Sequence, residues 1–446
     1  MIQALRRYLT APETLTRLQA LAAGAPSAAP ISLHLPLGKD ATDWLELLPP
    51  NQPWWYRARP ARQEYRLAIG HALHVSTAGP NRFPALDSAF TGLCQHWRRN
   101  GPALAFAGFA FDPLNQTPLP NALLAIPAIL LECMGGECSV TLSAPAGRLH
   151  QALTEWPHWL TASHPTTAPT LRPCRPETLL DQAWMARVNA ALRDIHAGHL
   201  DKVVLGRNRR IEANGTLSAA PILGRLNMQQ PGSLIYGHGT NTTAFVGATP
   251  ERLVSLDTDR VDADALAGTA WPGSLALHDA KNLHEQSLVV RAVCEALSPF
   301  CVAPPIAATP RKHVAGQLMH LRSRVTAVTR PETTLFELVR ALHPTPAIGG
   351  FPPHAAQAWL AAHGEQRAGW YSGGLGILTP DGNGEFSVAL RSALISGQTA
   401  ELQAGAGIVD GSDPQLELAE TEAKLGTLLA ALSPHSTPDS STGKRA

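Results

Sequence analysis

The sequence predicts an α+β protein in which large antiparallel β-sheets pack together and helices lie outside. Three observations lead there. Short apolar runs separated by Pro- and Gly-rich turns fill much of the first 160 residues and return between 370 and 408, as strands do. Helical periodicity is confined to separate stretches, near 180–195, 281–297, 333–342 and 414–432. Strands and helices thus come partly in blocks, a pattern of antiparallel sheets and not of strictly alternating βαβ units.

Composition bounds the function before any motif does. The 446 residues are 44% hydrophobic and 16% charged, those of an ordinary globular chain able to bury a large core. Lys plus Arg (36) nearly cancels Asp plus Glu (35) and no basic run appears, so a nucleic-acid partner is not expected and a small molecule is. Arg6, Arg7, Glu13 and Arg17 interrupt the N-terminus where a signal peptide would be apolar, and no apolar span is long enough for a membrane helix. The expectation is a cytoplasmic protein with no membrane partner. Cysteines 94, 133, 138, 174, 294 and 301 lack metal-ligand spacing and are expected as buried free thiols.

Taken in order, residues 1–165 form a strand-rich scaffold region with runs such as Ile31–Pro36, Leu104–Phe111 and Ala122–Leu131. Trp54, Trp55 and Tyr56 there read as packing. Residues 166–176, rich in Thr and Pro, are linker-like, and 434–446, dominated by Ser, Thr, Pro and charge, are expected to be disordered. The chemistry falls in 177–433. Leu180, Trp184, Val188, Leu192 and Ile195 share a helix face closed by Gly198, and a strand opens at Lys202. Further strands are expected at 233–236, 244–248, 252–256, 370–378, 385–395 and 400–408. After the last, Ser412 or Asp413 can cap a helix that has Pro414 in its first turn.

Several residues in this frame are suited to chemistry. Gly405 and Gly407 sit in a strand, where glycine marks close approach of a ligand or another backbone. Glu417, Glu420 and Lys424 share a face of the following helix, either as a solvated ion pair or as part of a site holding an anion through a cation. Lys202 opens an apolar strand, so it is either an edge lysine or a buried one able to act as a base. Glu251 ends an apolar strand after Pro250 and serves as a turn cap or as a desolvated general acid. Glu285 lies on the apolar side of its helix and needs a partner, a divalent cation being one. Glu285, Glu417 and Glu420 would offer only oxygen, a donor set for magnesium and not for zinc or copper. Arg391, inside the expected strand 385–395, is a carboxylate clamp or a structural ion-pair partner.

In this order the stretches Lys202–Arg207, Gly247–Glu251, Leu266–Thr269, His284–Glu285, Leu342–Ala347, Tyr371–Gly373, Glu385–Ala393 and Ala404–Leu425 resemble the chorismate-binding enzymes, most closely the isochorismate synthases of menaquinone, siderophore and salicylate pathways. The likeness spans about Leu180 to Leu432 and implies the fold of anthranilate synthase component I. It implies a Mg²⁺-dependent isomerase that adds water at C2 of chorismate as the C4 hydroxyl leaves, without a glutaminase subunit. Lys202 would then activate water and Glu251 assist the leaving hydroxyl. Glu285 and Glu420 would hold the metal, with Glu417 in or beside its shell. Gly268, Thr269, Tyr371, Arg391 and Gly405 would contact substrate, and His343 and Lys424 would line the site. Family members that make aminodeoxychorismate carry a nucleophilic lysine where this chain has Ala267, and anthranilate synthases generally lack the lysine matching Lys202. The combination looks like water addition. Salicylate synthases, which go on to eliminate pyruvate, share nearly all these residues, and a member that binds without catalysis is the remaining alternative. The chain departs from the family at Thr249-Pro250-Glu251, where Ser-Pro-Glu is usual, and at Ala270-Trp271, where a basic residue is common.

Overall fold

The computed structural model describes residues 2–39, 44–160, 169–174, 177–240, 242–274, 277 and 279–433. Its strands pair antiparallel throughout the described residues except where Pro30–Lys39 runs parallel to Arg98–Asn100. The α+β expectation therefore holds, with helices packed on the outer faces of a heavily paired strand system. No helix among the described residues is long and apolar enough to cross a membrane.

The N-terminal strands are built into the sheets of the rest of the chain. Trp54–Arg59 pairs with Leu234–Gly239, and Ala105–Phe109 pairs with Gly374–Leu378. Alternation of side chains explains how these strands seal the interior. Trp54, Trp55 and Tyr56 are all buried, Trp55 stacking on Trp370 with ring centroids 5.4 Å apart. Arg57 and Arg59 both grip Glu385, a pairing 326 residues apart in the second case. Part of the linker-like segment is a strand: Leu171–Pro173 pairs with the far end of Lys202–Ala213, Leu171 facing Ala213. The tail 434–446 lies outside the described residues. The six cysteines are free thiols, but only Cys138 and Cys301 are buried and the other four are half-buried.

Four elements position the site. Lys202–Ala213 pairs in full register with Thr399–Val409, placing Lys202 opposite Val409, Val204 opposite Gly407 and Gly206 opposite Gly405. Arg260–Ala270 pairs with Leu318–Val328, with a bulge between Ala267 and Thr269. Gly268 sits in that bulge at φ +63°, a left-handed conformation that glycine adopts without strain. The helices Ala280–Leu297 and Pro414–Leu432 bring the carboxylates. The second begins as read from sequence: Asp413 accepts from the Gln415 and Leu416 N–H groups, both at 2.9 Å, with Pro414 in the first turn.

One expected strand is broken. In place of a single strand 385–395, Gly384–Val388 and Ser392–Ser396 are separate, and between them Arg391 has φ +50°. The neighbouring strand starts at Gly374, later than expected, because Ser372 has φ +56°. A non-glycine residue in this region is strained, which a chain tolerates where its surroundings fix the side chain for a purpose. Both residues line the same cavity.

Candidate active site

That cavity is walled by Glu251, Gly268, Thr269, Glu285, His320, Tyr371, Ser372, Arg391, Gly405, Gly407, Glu420 and Lys424, with Val204, Leu266, Ala267 and Ile348 among the apolar residues between them. Ten of the thirteen residues singled out from sequence thus stand in one wall. Three stand behind it.

Lys202 is the first of these. It is fully buried, and its Nζ donates to Glu285 Oε1 at 2.7 Å. It reaches the cavity edge beneath Gly407, where a Cβ would lie 2.8 Å from Lys202 Cε and 2.7 Å from Glu285 Oε1. Glycine at 407 is therefore what lets the lysine, the carboxylate and the strand share this space. Gly405 does the same for Tyr371, whose hydroxyl would lie 2.9 Å from an added Cβ.

Glu417 is the second. It is buried behind the wall, accepting from Lys281 Nζ at 2.7 Å and from Ser412 Oγ at 2.8 Å. Burial and then the neighbouring Glu420 push its carboxyl up. Its Oε1 is thus turned to Lys281 and Ser412, behind the residues that wall the cavity. Burial works against the Lys281 ammonium, but Glu417, Glu285 and Glu420 together hold its pKa above the ordinary value. One cation therefore feels all three carboxylates.

His343 is the third, and here the expectation needs correcting. It does not line the cavity: its ring packs edge-on to Phe109 and Phe111, and its Nε2 lies 2.8 Å from the carbonyl of Ser372. Burial lowers its pKa to about 3, so it is a neutral N–H donor that props the strained Ser372 from behind.

Inside the wall, hydrogen bonds fix each polar group. The Gly268 N–H donates to Glu285 Oε2 at 3.2 Å, while Thr269 Oγ1 donates to Glu420 Oε1 at 3.1 Å. Lys424 bridges Glu420, at 2.5 Å, and the Gly405 carbonyl, at 2.7 Å. His320, which sequence reasoning missed, ties Gly268 to Arg391. Its Nδ1–H donates to the Gly268 carbonyl at 3.0 Å and its Nε2 faces Arg391 Nη2 at 3.3 Å. Burial, then Arg391 and Lys424, keep this ring neutral. Nothing in the alternation of Leu318–Val328 distinguishes His320 from a packed histidine, because its role depends on Arg391, 71 positions away. His320 is the one hydrogen-bond partner of the Arg391 side chain among the described residues, so further donors of the guanidinium face the cavity. Burial lowers the Arg391 pKa only to about 10, so it stays a cation fit to grip a carboxylate.

Glu251 is the remaining titratable group. It is 4% exposed, and burial followed by the charge of Asp264 raises its pKa to about 8, against the opposing pull of Lys202 and Lys424. At neutral pH it is a neutral carboxylic acid. The cavity thus combines a protonated acid, a buried lysine at its edge, two ordered carboxylates and an anion-binding arginine.

These features belong to a known class. The chain matches the family of chorismate binding enzymes over residues 18–433, and it is a member of that family. It is 31% identical over 400 residues to the salicylate biosynthesis isochorismate synthase of Pseudomonas aeruginosa, covering 82% of each chain. Its structure is similar to that of the menaquinone-specific isochorismate synthase of Escherichia coli, with a TM-score of 0.80 at 25% identity, covering 96% of this chain and 100% of that one. Anthranilate synthase component I of Streptococcus pneumoniae shares the fold, with a TM-score of 0.68 at 19% identity, covering 82% of this chain and 92% of the other.

Proposed function

We propose that this chain is an isochorismate synthase, an isomerase that adds water at C2 of chorismate as the C4 hydroxyl departs. The observation that carries the reading is the split between its two proton-handling groups: a neutral carboxyl, Glu251, and a buried lysine, Lys202, meet one cavity in separate environments. Relatives named isochorismate synthase support the same conclusion. Ala267 lines the wall and supplies no amine, so the chemistry points to water and not to a covalent lysine.

In this reading Arg391, from its strained turn, binds a substrate carboxylate, and Gly405, Gly268, Thr269 and Tyr371 shape the contact around the ring. Lys202 takes a proton from the water attacking C2. Glu251 gives its proton to the leaving hydroxyl.

Magnesium is part of the proposal. Glu285 and Glu420 fit it: both are carboxylates, both line the cavity, and each is oriented by a backbone or hydroxyl donor. Among the described residues no group of three acidic, His or Cys side chains forms a ready cage. That is consistent with an ion held by one or two carboxylates, with substrate and water supplying the rest. Bound there, the ion would neutralise a substrate carboxylate and polarise the ring toward attack. Glu417 would steady Glu420 through the shared Lys281. A cytoplasmic enzyme acting without a glutaminase, in a menaquinone, siderophore or salicylate route, completes the proposal.

Pure protein given chorismate and Mg²⁺ should produce a chorismate–isochorismate mixture, resolved by chromatography and approached from either side. Salicylate and pyruvate should form slowly at most. Pyruvate released as fast as chorismate disappears would reassign the enzyme as a lyase.

The pH profile offers a separate check. An acid acts only while protonated, so with Glu251 near 8 the rate should decline above that pH. Since the fold favours the protonated carboxyl, native stability should also decline as pH rises from the ordinary carboxylate range toward 8. Glu251→Gln should abolish most turnover and flatten that stability slope, as read by thermal melts. An alkaline limb unchanged in Glu251→Gln would assign it to another group.

A further inference from the structure

Glu251 has two faces. One looks into the substrate cavity; the other forms part of a second chamber of about 120 Å³, and Pro250 and Glu251 are the residues common to both walls. The strand Arg260–Ala270 is arranged to serve both spaces: Leu266 lines the cavity, and Asp264, two residues back on the same face, lines the chamber.

The chamber is polar, and its polarity is incompletely satisfied. Asp264 is 97% buried, at 3% exposure, and only one of its oxygens is used, accepting from Arg322 at 2.7 Å. Its other oxygen, Oδ1, has no hydrogen-bond partner among the described residues, nor do Arg252 Nε or His313 Nε2, and all three atoms belong to residues of this wall. Buried polar atoms without protein partners are ordinarily met by water, and at roughly 10–15 Å³ per water the chamber has room for several. Arg322, about one-third exposed, and the exposed Arg62 stand where the chamber meets solvent.

The reaction needs such a route. In each turnover the C2–O bond forms and the C4–O bond breaks as the ring double bonds shift. Lys202 gains a proton from the attacking water, and Glu251 loses one to the departing hydroxyl, which leaves as water. Substrate and product have the same composition, yet the enzyme ends with a charged lysine and a charged Glu251. Before the next turnover Glu251 must regain a proton and Lys202 must release one, which passes to water in the substrate cavity as product leaves. We propose that the chamber is a water-filled relay that returns a proton to Glu251 from solvent on the side away from the substrate, with Asp264 as its positioning residue. The inference rests on the reading of Glu251 as the acid. On the chamber side Glu251 faces Asp264, Arg252, Arg322, Arg59 and His313; on the cavity side it faces Lys202, Lys424, His320 and Arg391.

The test uses the full-length enzyme with Asp264→Asn, which keeps the shape of the side chain and removes its charge. The relay predicts that kcat falls about tenfold or more, becomes dependent on the concentration of a small acidic buffer such as imidazole, and recovers as that buffer is raised. KM for chorismate should stay within about twofold, because the substrate wall is untouched. A kcat within about twofold of native, or a fall that buffer does not relieve, overturns the relay. If Asp264→Asn does not fold, as judged by its thermal melt, His313→Phe at the half-buried rim takes its place with the same expected and overturning results. A native enzyme that does not convert chorismate refutes the assignment of Glu251 itself, and the relay with it. Native conversion with an unresponsive variant refutes the relay alone.

Discussion

Replacing Lys202 with alanine should lower chorismate turnover by at least about 10²-fold while chorismate still binds. The argument is positional. Lys202 is fully buried with its Nζ on Glu285, at the cavity edge that Gly407 leaves open, and among the described residues the other lysine at the cavity, Lys424, is engaged by Glu420 and the Gly405 carbonyl. No second amine is free to take over. Arg391, the proposed carboxylate clamp, is held by His320 and makes no bond to Lys202, so affinity should survive the change. Single-turnover kinetics and a calorimetric titration with chorismate would separate the two quantities. A variant retaining more than about a tenth of the native rate would show that another group activates the water.

Glu285→Ala and Glu420→Ala should each eliminate turnover and weaken Mg²⁺ binding, and chelation of the native enzyme should do the same reversibly. Both side chains line the cavity and each is oriented by two donors, the Gly268 N–H and Lys202 for Glu285, the Thr269 hydroxyl and Lys424 for Glu420. Glu417→Gln should have a smaller effect, since its carboxylate is held by Lys281 and Ser412 and turned from the cavity. Calorimetry with Mg²⁺, and paramagnetic Mn²⁺ as a spectroscopic substitute, reads binding apart from rate. Full activity after exhaustive chelation would remove the metal from the proposal.

The parts of this site legible in sequence are those with a local signal. Glycines at 405 and 407 in an apolar strand, Asp413-Pro414 opening a helix, and carboxylates three residues apart on that helix announce themselves through spacing, and the structure assembles them as spacing requires. The N-terminal strands were legible as strands but not as members of the catalytic sheets, since pairing partners more than 100 residues distant leave no local mark. Arg391 was read into a continuous strand because Glu385–Ile395 has strand character throughout; only the contact with His320 and the cavity shows why the backbone turns left-handed there. His320 and Asp264 were missed for the same reason. Each sits on a strand of ordinary pattern, and each acquires its role from residues brought in by the fold. His343 was misplaced because a motif reports which residues belong together and not which of them faces the ligand.

The pairing of Lys202–Ala213 with Thr399–Val409 has a consequence for biosynthesis. As the chain leaves the ribosome, the strand that bears Lys202 is complete almost two hundred residues before its neighbour has been made. Until then that strand is an unsatisfied edge of apolar character, open to mispairing with other nascent chains. The helix that carries Glu420 comes later still, so substrate cannot be turned over by any chain that has not been synthesised nearly to its end. A nonsense codon between 214 and 399 would thus leave a sticky fragment, prone to aggregation and dependent on chaperones, and no partial enzyme.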